Sequence, residues 1–423
     1  SAQNKKWTLE ECVDYAIKNN ISIKQSELDL KTSDVEKLEA IGGFLPTLNG
    51  NANYSINTGA SINPVTNQFQ NQTFKSFSAS ANSNIMLFNG LANWKTLQRS
   101  KLNQIANTYR LDKMKDDIAL SIANSYLQIL FNKEQLKVQK NQNLVTKENI
   151  KRTQELIEAG SLPAGDIYEL QATDATQEQQ IISTENALLI SKVALCQTLL
   201  LEDYATFDIS DEVIDLPMSN ITNETQEAIL AKAKESVKDV KIALSNVDVA
   251  KKDVAISRSS YLPTLAGFVG YNTRWSESTP FNFADQLSLF DGTAVGLQLS
   301  VPILNGFATR GRVQRAKINQ ERSEFQLKQA ELDLERNVYQ AYNDVINAKK
   351  SFEAAQKTLE ARKQSFNFSK ERYEVGLMNS FDFSQSTIAY ENAQSEVLRT
   401  KYDYIFRTKI LEFYFGIPLI KKQ

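Results

Sequence analysis

The chain says nearly the same thing twice. Residues 44–48 read FLPTL and residues 261–265 read YLPTL. Phe88-Asn89-Gly90 returns as Leu304-Asn305-Gly306, 216 positions later, and at that offset Gly160 meets Gly376 and Asp166 meets Asp382. LEECVDYAIK after Thr8 opens the first half much as QEAILAKAKE after Thr225 opens the second. A duplication of this extent restricts the fold to two versions of one unit, each a helix, two uncharged polar segments, a very long helix, a turn and a returning helix. The expected bounds are 1–202 and 225–423, joined by a linker over 203–224.

Charge locates the strands. From Phe44 to Phe88 the only charged residue is Lys75, whereas the flanks are dense in Lys, Glu, Asp and Arg. Phe77, Ala79, Ala81, Ser83, Ile85 and Leu87 alternate with Ser76, Ser78, Ser80, Asn82 and Asn84, the period of two of a strand with one apolar and one polar face. Leu48, Gly50, Ala52, Tyr54 and Ile56 repeat that phase, as do Val295, Leu297, Leu299 and Val301. Strands are expected over 44–58, 74–88, 261–275 and 292–304. Such a sheet suits either a soluble protein with one wet face or the staves of a membrane barrel. Tyr54, Phe69, Phe74, Tyr271, Trp275, Phe281 and Phe283 edge the strands as an aromatic girdle would at a lipid interface. Four strands cannot close a barrel, so the membrane alternative requires several copies of the chain.

From Asn89 to Ala159 there is no proline and, after Gly90, no glycine. A helix over 89–159 would extend about 105 Å at 1.5 Å per residue. Ile118, Ile122, Tyr126, Ile129 and Leu136 form its apolar stripe. A second long helix is expected over 305–374, with Gly311 its one interior glycine. Both end in turns, at Gly160 with Pro163 beyond it and at Gly376, and return over 163–202 and 380–415.

Several function classes fall away on composition. The chain has no histidine and only two cysteines, Cys12 and Cys196, which argues against zinc, haem and most acid–base or nucleophilic catalysis, so neither a cofactor nor a metal site is expected. A formal charge of -2 from 48 basic and 50 acidic residues gives no field for nucleic acid. No run of eighteen apolar residues offers a membrane helix, which leaves a barrel open. A start at Ser1 with no apolar leader fits a cytoplasmic or a mature exported protein, and a first residue other than cysteine shows no lipid-anchor site. The linker gathers Asp203, Asp208, Asp211, Glu212 and Asp215 without EF-hand spacing, so it is expected to be solvated.

WTLEECVDYAIKNN at the start, FLPTL and YLPTL, LFNG and ILNG, and YEVGLMNSFDF at the second turn together resemble the TolC-type outer-membrane efflux proteins, over essentially the whole chain. The fold implied is mostly α with β: a homotrimer in which each protomer gives four strands to a shared outer-membrane β-barrel, continuous with a periplasmic α-helical barrel. The function implied is passive export with an inner-membrane transporter and a periplasmic adaptor protein. A soluble coiled-coil scaffold and an adaptor stand as alternatives. The resemblance places Gly160, Leu162, Val375, Gly376 and Leu377 at an adaptor-contact tip, and Asp166, Asp382 and Tyr373 at a pore gate. Gln385 replaces a second carboxylate of some members and Met378 a gating arginine. Helix capping is the alternative role for Asp166, followed by Glu169, and for Asp382, near Ser380. Cys12 and Cys196 would meet at the equatorial belt, where a disulfide or two buried thiols are both open.

Overall fold

Capping and left-handed residues set most of the element ends. The computed structural model describes residues 6–62, 67–211 and 220–418. The first half runs β1 (Lys6–Trp7), α1 (Leu9–Asn19), α2 (Ile21–Gly42), β2 (Thr47–Ile62), β3 (Phe69–Asn89), α3 (Ala92–Glu158) and α4 (Asp166–Leu199). After β4 (Asp208–Ile209) the second half follows as α5 (Gln226–Ser236), α6 (Lys238–Ser259), β5 (Thr264–Ser276), α7 (Phe283–Leu289), β6 (Gly292–Ser300), α8 (Ala308–Glu374) and α9 (Ser380–Phe415).

Thr8 caps α1 in a reciprocal box: its hydroxyl accepts the Glu11 N–H while the Glu11 carboxylate accepts its own N–H. Thr225 caps α5 in one direction only, its hydroxyl accepting the Ala228 N–H. Each opening helix, read from sequence as one element, breaks at an extended residue, Asn20 or Val237. Asn20 restarts the chain by accepting the Ser22 N–H with its side chain.

Two compact units result, each drawing on both halves of the sequence. One comprises Leu28–Thr108 and Ile242–Lys328, and holds a four-stranded antiparallel sheet in the order β2-β3-β5-β6. Ser76, Ser78, Ser80 and Asn82 stand opposite Ser55, Asn53, Asn51 and Asn49, while Phe77, Ala79 and Ala81 oppose Tyr54, Ala52 and Gly50. Val269 faces Val295 and Leu265 faces Leu299 in that second phase. One face is thus hydroxyl and amide, the other apolar.

The strands depart from their expected ends for identifiable reasons. β6 stops at Ser300 rather than 304, because Ser300 pairs with Thr264, where β5 begins. Both long helices start three residues late, since Gly90 and Leu91, like Gly306 and Phe307, have positive φ and cannot enter a right-handed helix. Between β5 and β6 the chain forms α7, anchored by the fully buried Gln286 and by Phe283 packing on Phe77 and Trp275 at 5.5 and 5.6 Å. Two residues expected in the girdle, Trp275 and Phe283, therefore also pack on each other.

The other unit comprises Ser1–Glu27, Tyr109–Lys241 and Gln329–Gln423. One apolar cluster joins Cys12, Val13 and Ala16 to Ile122, Tyr126 and Ile129 of α3, Leu195 and Leu199 of α4, and Ile405 of α9. A second joins Ile229 and Ala233 of α5 to Val338 and Val345 of α8 and Leu411 of α9. β1 pairs in parallel with β4, Trp7 against Ile209.

Candidate functional site

The two turns are built alike. Gly160 takes φ +75°, its N–H bonding Ile157 O at 2.9 Å and the Ser161 N–H bonding Leu156 O at 2.8 Å. Gly376 takes the same φ, with bonds to Tyr373 O at 3.0 Å and from Leu377 to Arg372 O at 2.8 Å. This pairing needs a left-handed residue, which glycine supplies without steric cost. Gly160, Val375, Gly376 and Leu377 are exposed, and Leu162 is half-buried.

The aspartates sit at helix starts. Asn379, not Ser380, caps α9: its side chain accepts the Asp382 N–H at 2.8 Å and donates to the Asp382 carboxylate at 2.9 Å. Asp166 and Glu169 lie in the first turn of α4, where the positive end of the helix favours negative charge, but the residue before that helix is Gly165, which offers no side-chain cap. Asp382 and Gln385 are exposed, whereas Asp166 is half-buried.

Both turns converge on one small cluster, Leu170, Tyr373 and Phe383, with Ile150, Leu162, Phe366 and Met378 packed around it. Tyr373 stacks on Phe383 at 4.6 Å and 5°, Phe383 on Phe366 at 5.9 Å and 25°, and Phe366 on Tyr390 at 5.1 Å and 16°. This column fastens α8 to α9. Across to the first hairpin, the Tyr373 hydroxyl bonds the Thr153 hydroxyl at 2.9 Å, both residues being buried. Burial pushes the Tyr373 phenol up, opposed by the Thr153 bond and helped by the nearby Asp166 charge.

Above that contact the two hairpins meet through polar side chains. Thr173 bonds Ser384 at 2.9 Å, Gln177 donates to Glu391 at 2.7 Å, Gln142 to Gln394 at 2.6 Å and Gln135 to Ser395 at 2.7 Å. Burial raises the Glu391 carboxyl, opposed by the Gln177 bond. Sequence reasoning singled out Tyr373 but missed Thr153, Phe366, Phe383 and Glu391. A signal for the column existed: Phe366 and Tyr373 on α8, and Phe383 and Tyr390 on α9, are each seven residues apart, the spacing of one helix face.

Two further features mark the belt. Cys12 and Cys196 are not joined: both are thiols, fully buried in the same apolar cluster, and burial raises the Cys196 thiol to about 11. They pack as small apolar side chains, the buried-thiol alternative of the two that the sequence left open. The linker aspartates, expected to be solvated, are partly clamped. Lys133 reaches Asp208 at 2.8 Å and Asp211 at 2.7 Å, Lys192 reaches Asp208 at 2.9 Å, and Lys6 also pairs with Asp211. Hydrogen bonds from Lys133 and then Lys6 hold the Asp211 carboxyl down at about 2. Glu212 and Asp215 lie outside the described residues. Among the described residues no group of three His, Cys, Asp or Glu side chains could hold a metal ion.

Comparison with known proteins decides the family. Residues 12–199 and 229–415, one segment in each half, match the outer membrane efflux protein family. The chain belongs to that family. As an outer membrane efflux protein it is an exit duct of the efflux and secretion type, placed in a Gram-negative outer membrane with a periplasmic portion. Members of the family are channel proteins. The chain is similar to the outer membrane protein TolC of Vibrio cholerae, 22% identical over 310 residues that span 72% of this chain and 68% of that one. It is also similar to the proteases secretion protein PrtF of Dickeya chrysanthemi, 22% identical over 92% of this chain and 84% of the relative. The solved CmeC outer membrane channel of Campylobacter jejuni shares the fold with a TM-score of 0.79, at 18% identity over 96% of this chain and 85% of that one.

Proposed function

We propose that this outer membrane efflux protein works as a homotrimeric passive conduit, performing no covalent chemistry, whose cargo is chosen by an inner-membrane transporter and a periplasmic adaptor. One observation carries the assembly: the sheet has an apolar face, a face of small uncharged polar groups, and two unpaired edges, at β2 and β6. An apolar face suits lipid, the polar face suits a water-filled lumen, and open edges must close against further copies. A soluble scaffold has no use for such a sheet.

In this reading Gly160, Leu162, Val375, Gly376 and Leu377 form the tip that meets the adaptor, supported by the exposure of all but the half-buried Leu162. Tyr373, through Thr153, holds the two hairpins together at the gate. Asp166 and Asp382, repeated by symmetry, present rings of carboxylate at the entrance, with Gln385 beside Asp382 contributing no charge. The capping bonds of Asp382 fit this role, because they fix its carboxylate in one orientation.

Planar-bilayer recording of the detergent-purified protein tests the reading. Discrete single-channel steps from a species of three chains by native mass spectrometry are expected. A monomer that stays soluble without detergent and conducts nothing would overturn it.

A further inference from the structure

Within one chain, β3 already pairs with β5, the second strand of the first repeat against the first strand of the second. Their register runs from Ser76↔Ser276 to Met86↔Ala266, skips Leu87 at a bulge, and ends at Phe88↔Leu265 and Asn89↔Thr264. The duplication maps β5 onto β2, Thr264 on Thr47, and β3 onto β6 and its continuation, Asn89 on Asn305. The two open edges are therefore versions of two strands whose mutual register is known.

We infer that β6 pairs with β2 of a second copy of this chain in the register of β3 on β5, and that the contact is locked by an ion pair between Arg315 and Glu36 of the second copy. The strand partners are Gly292↔Gly59, Ser300↔Asn51 and, beyond a bulge at Ile303, Leu304↔Leu48 and Asn305↔Thr47. This deepens the multi-copy reading above and rests on it.

Three observations carry the inference. Residues 301–305 form no strand in the single chain, and Ile303 and Leu304 are each 93% exposed, although their counterparts in β3 are paired or bulged. A missing partner accounts for both. Pro302 falls next to the copied bulge, a place where a sheet tolerates a residue without an N–H.

The third observation is charge. Arg99 Nε of α3 bonds Asp253 Oδ1 of α6 at 2.5 Å. The same mapping takes Arg99 to Arg315 of α8 and Asp253 to Glu36 of α2, so opposite charges persist although the acid has changed. Arg315 is exposed and has no ion pair among the described residues, while Glu36 accepts only the Asn103 amide, at 2.8 Å. One interface is satisfied inside the chain, and its copy stands ready for a neighbour.

Cysteine pairs read the register directly in outer membranes of cells making the full chain. Adjacent pairs in antiparallel sheets alternate between close and wide, so Ser300→Cys with Asn51→Cys and Leu299→Cys with Ala52→Cys include one close pair. Oxidation is expected to crosslink at least one of these into dimers and a closed oligomer. Ser300→Cys with Asn53→Cys or Asn49→Cys, two residues out of register, is expected to give less than a tenth of that yield. Equal or better crosslinking of the shifted pairs overturns the register while leaving the oligomer standing. A monomeric mass with no crosslink in any variant defeats the multi-copy reading as well. For the ion pair, Arg315→Glu should lower the temperature at which the oligomer dissociates in detergent, and adding Glu36→Arg should restore it. A single variant without effect, or a double variant without rescue, overturns the ion pair.

Discussion

Tyr373→Phe removes one hydrogen bond that crosses between the hairpins at the tip and leaves the packing undisturbed. The ring remains stacked on Phe383 at 4.6 Å, so only the hydroxyl bond to Thr153 is lost. Thr153 is 1% exposed, and its hydroxyl would be left buried with no partner while the hairpins stay together. Such a group costs about 1–3 kcal/mol, and opening the tip to water would relieve it. The ratio of open to closed channels should then rise by a factor of about 5 to 150. Single-channel recording in planar bilayers measures that ratio directly. Thr153→Val on the Tyr373→Phe background replaces the orphaned hydroxyl with a methyl of similar shape and should recover most of the closed population. The reasoning is refuted if Tyr373→Phe leaves open probability unchanged, or if the second substitution adds to the first instead of offsetting it.

Gly160→Ala places a methyl in open space and pays only for its left-handed backbone, about 1–2 kcal/mol. Gly90→Ala adds about 1–3 kcal/mol of overpacking, because its new carbon would lie 2.7 Å from Ser259 O; equal losses in thermal unfolding would contradict this. Asp211 has a depressed pKa, so its pairing with Lys133 and Lys6 stabilises the fold above about pH 4 and is lost as pH falls towards about 2. Asp211→Asn should flatten that part of an acid-unfolding curve followed by circular dichroism, and an unchanged curve would count against the clamp. Gln286 donates to Ser276 O at 3.0 Å and Phe281 O at 2.7 Å, and accepts the Ser276 N–H at 2.9 Å. Gln286→Leu should therefore release α7, read as protease nicking between residues 277 and 291 that the parent resists. Ellman's reagent should titrate two thiols in the denatured chain and close to none in the native one, since Cys12 and Cys196 are both fully buried.

Where a local residue sets the geometry, the sequence was legible. Gly416 takes φ +86° just past α9, which ends at Phe415 as expected. Leu200 takes φ +58° at the matching place after α4, with no glycine to mark it, and that helix ends at Leu199 instead of 202. The strand faces were legible because a period of two survives in small residues such as Ser78 and Ala79. The end of β6 was not, because the length of a strand depends on its neighbour: Ser300 meets Thr264, where β5 begins. β1 has two residues and no periodicity to detect. At the site, glycines announced both turns, but Thr153 is one hydroxyl among many on a 67-residue helix, and only folding reveals that it lies against Tyr373.

The amide and hydroxyl contacts between the hairpins set the mechanical character of that region. Separating apolar surfaces costs about 25 cal/mol for every Å² wetted, so the clusters around Ile122 and Val338 resist parting. An exchange of Gln177–Glu391 or Thr173–Ser384 for bonds to water costs only about 0.5–1.5 kcal/mol each. Compliance is thus written into side-chain chemistry: hydrocarbon holds the helices together around Ile122 and Val338, whereas the joint through Gln177 and Glu391 can trade its bonds for bonds to water.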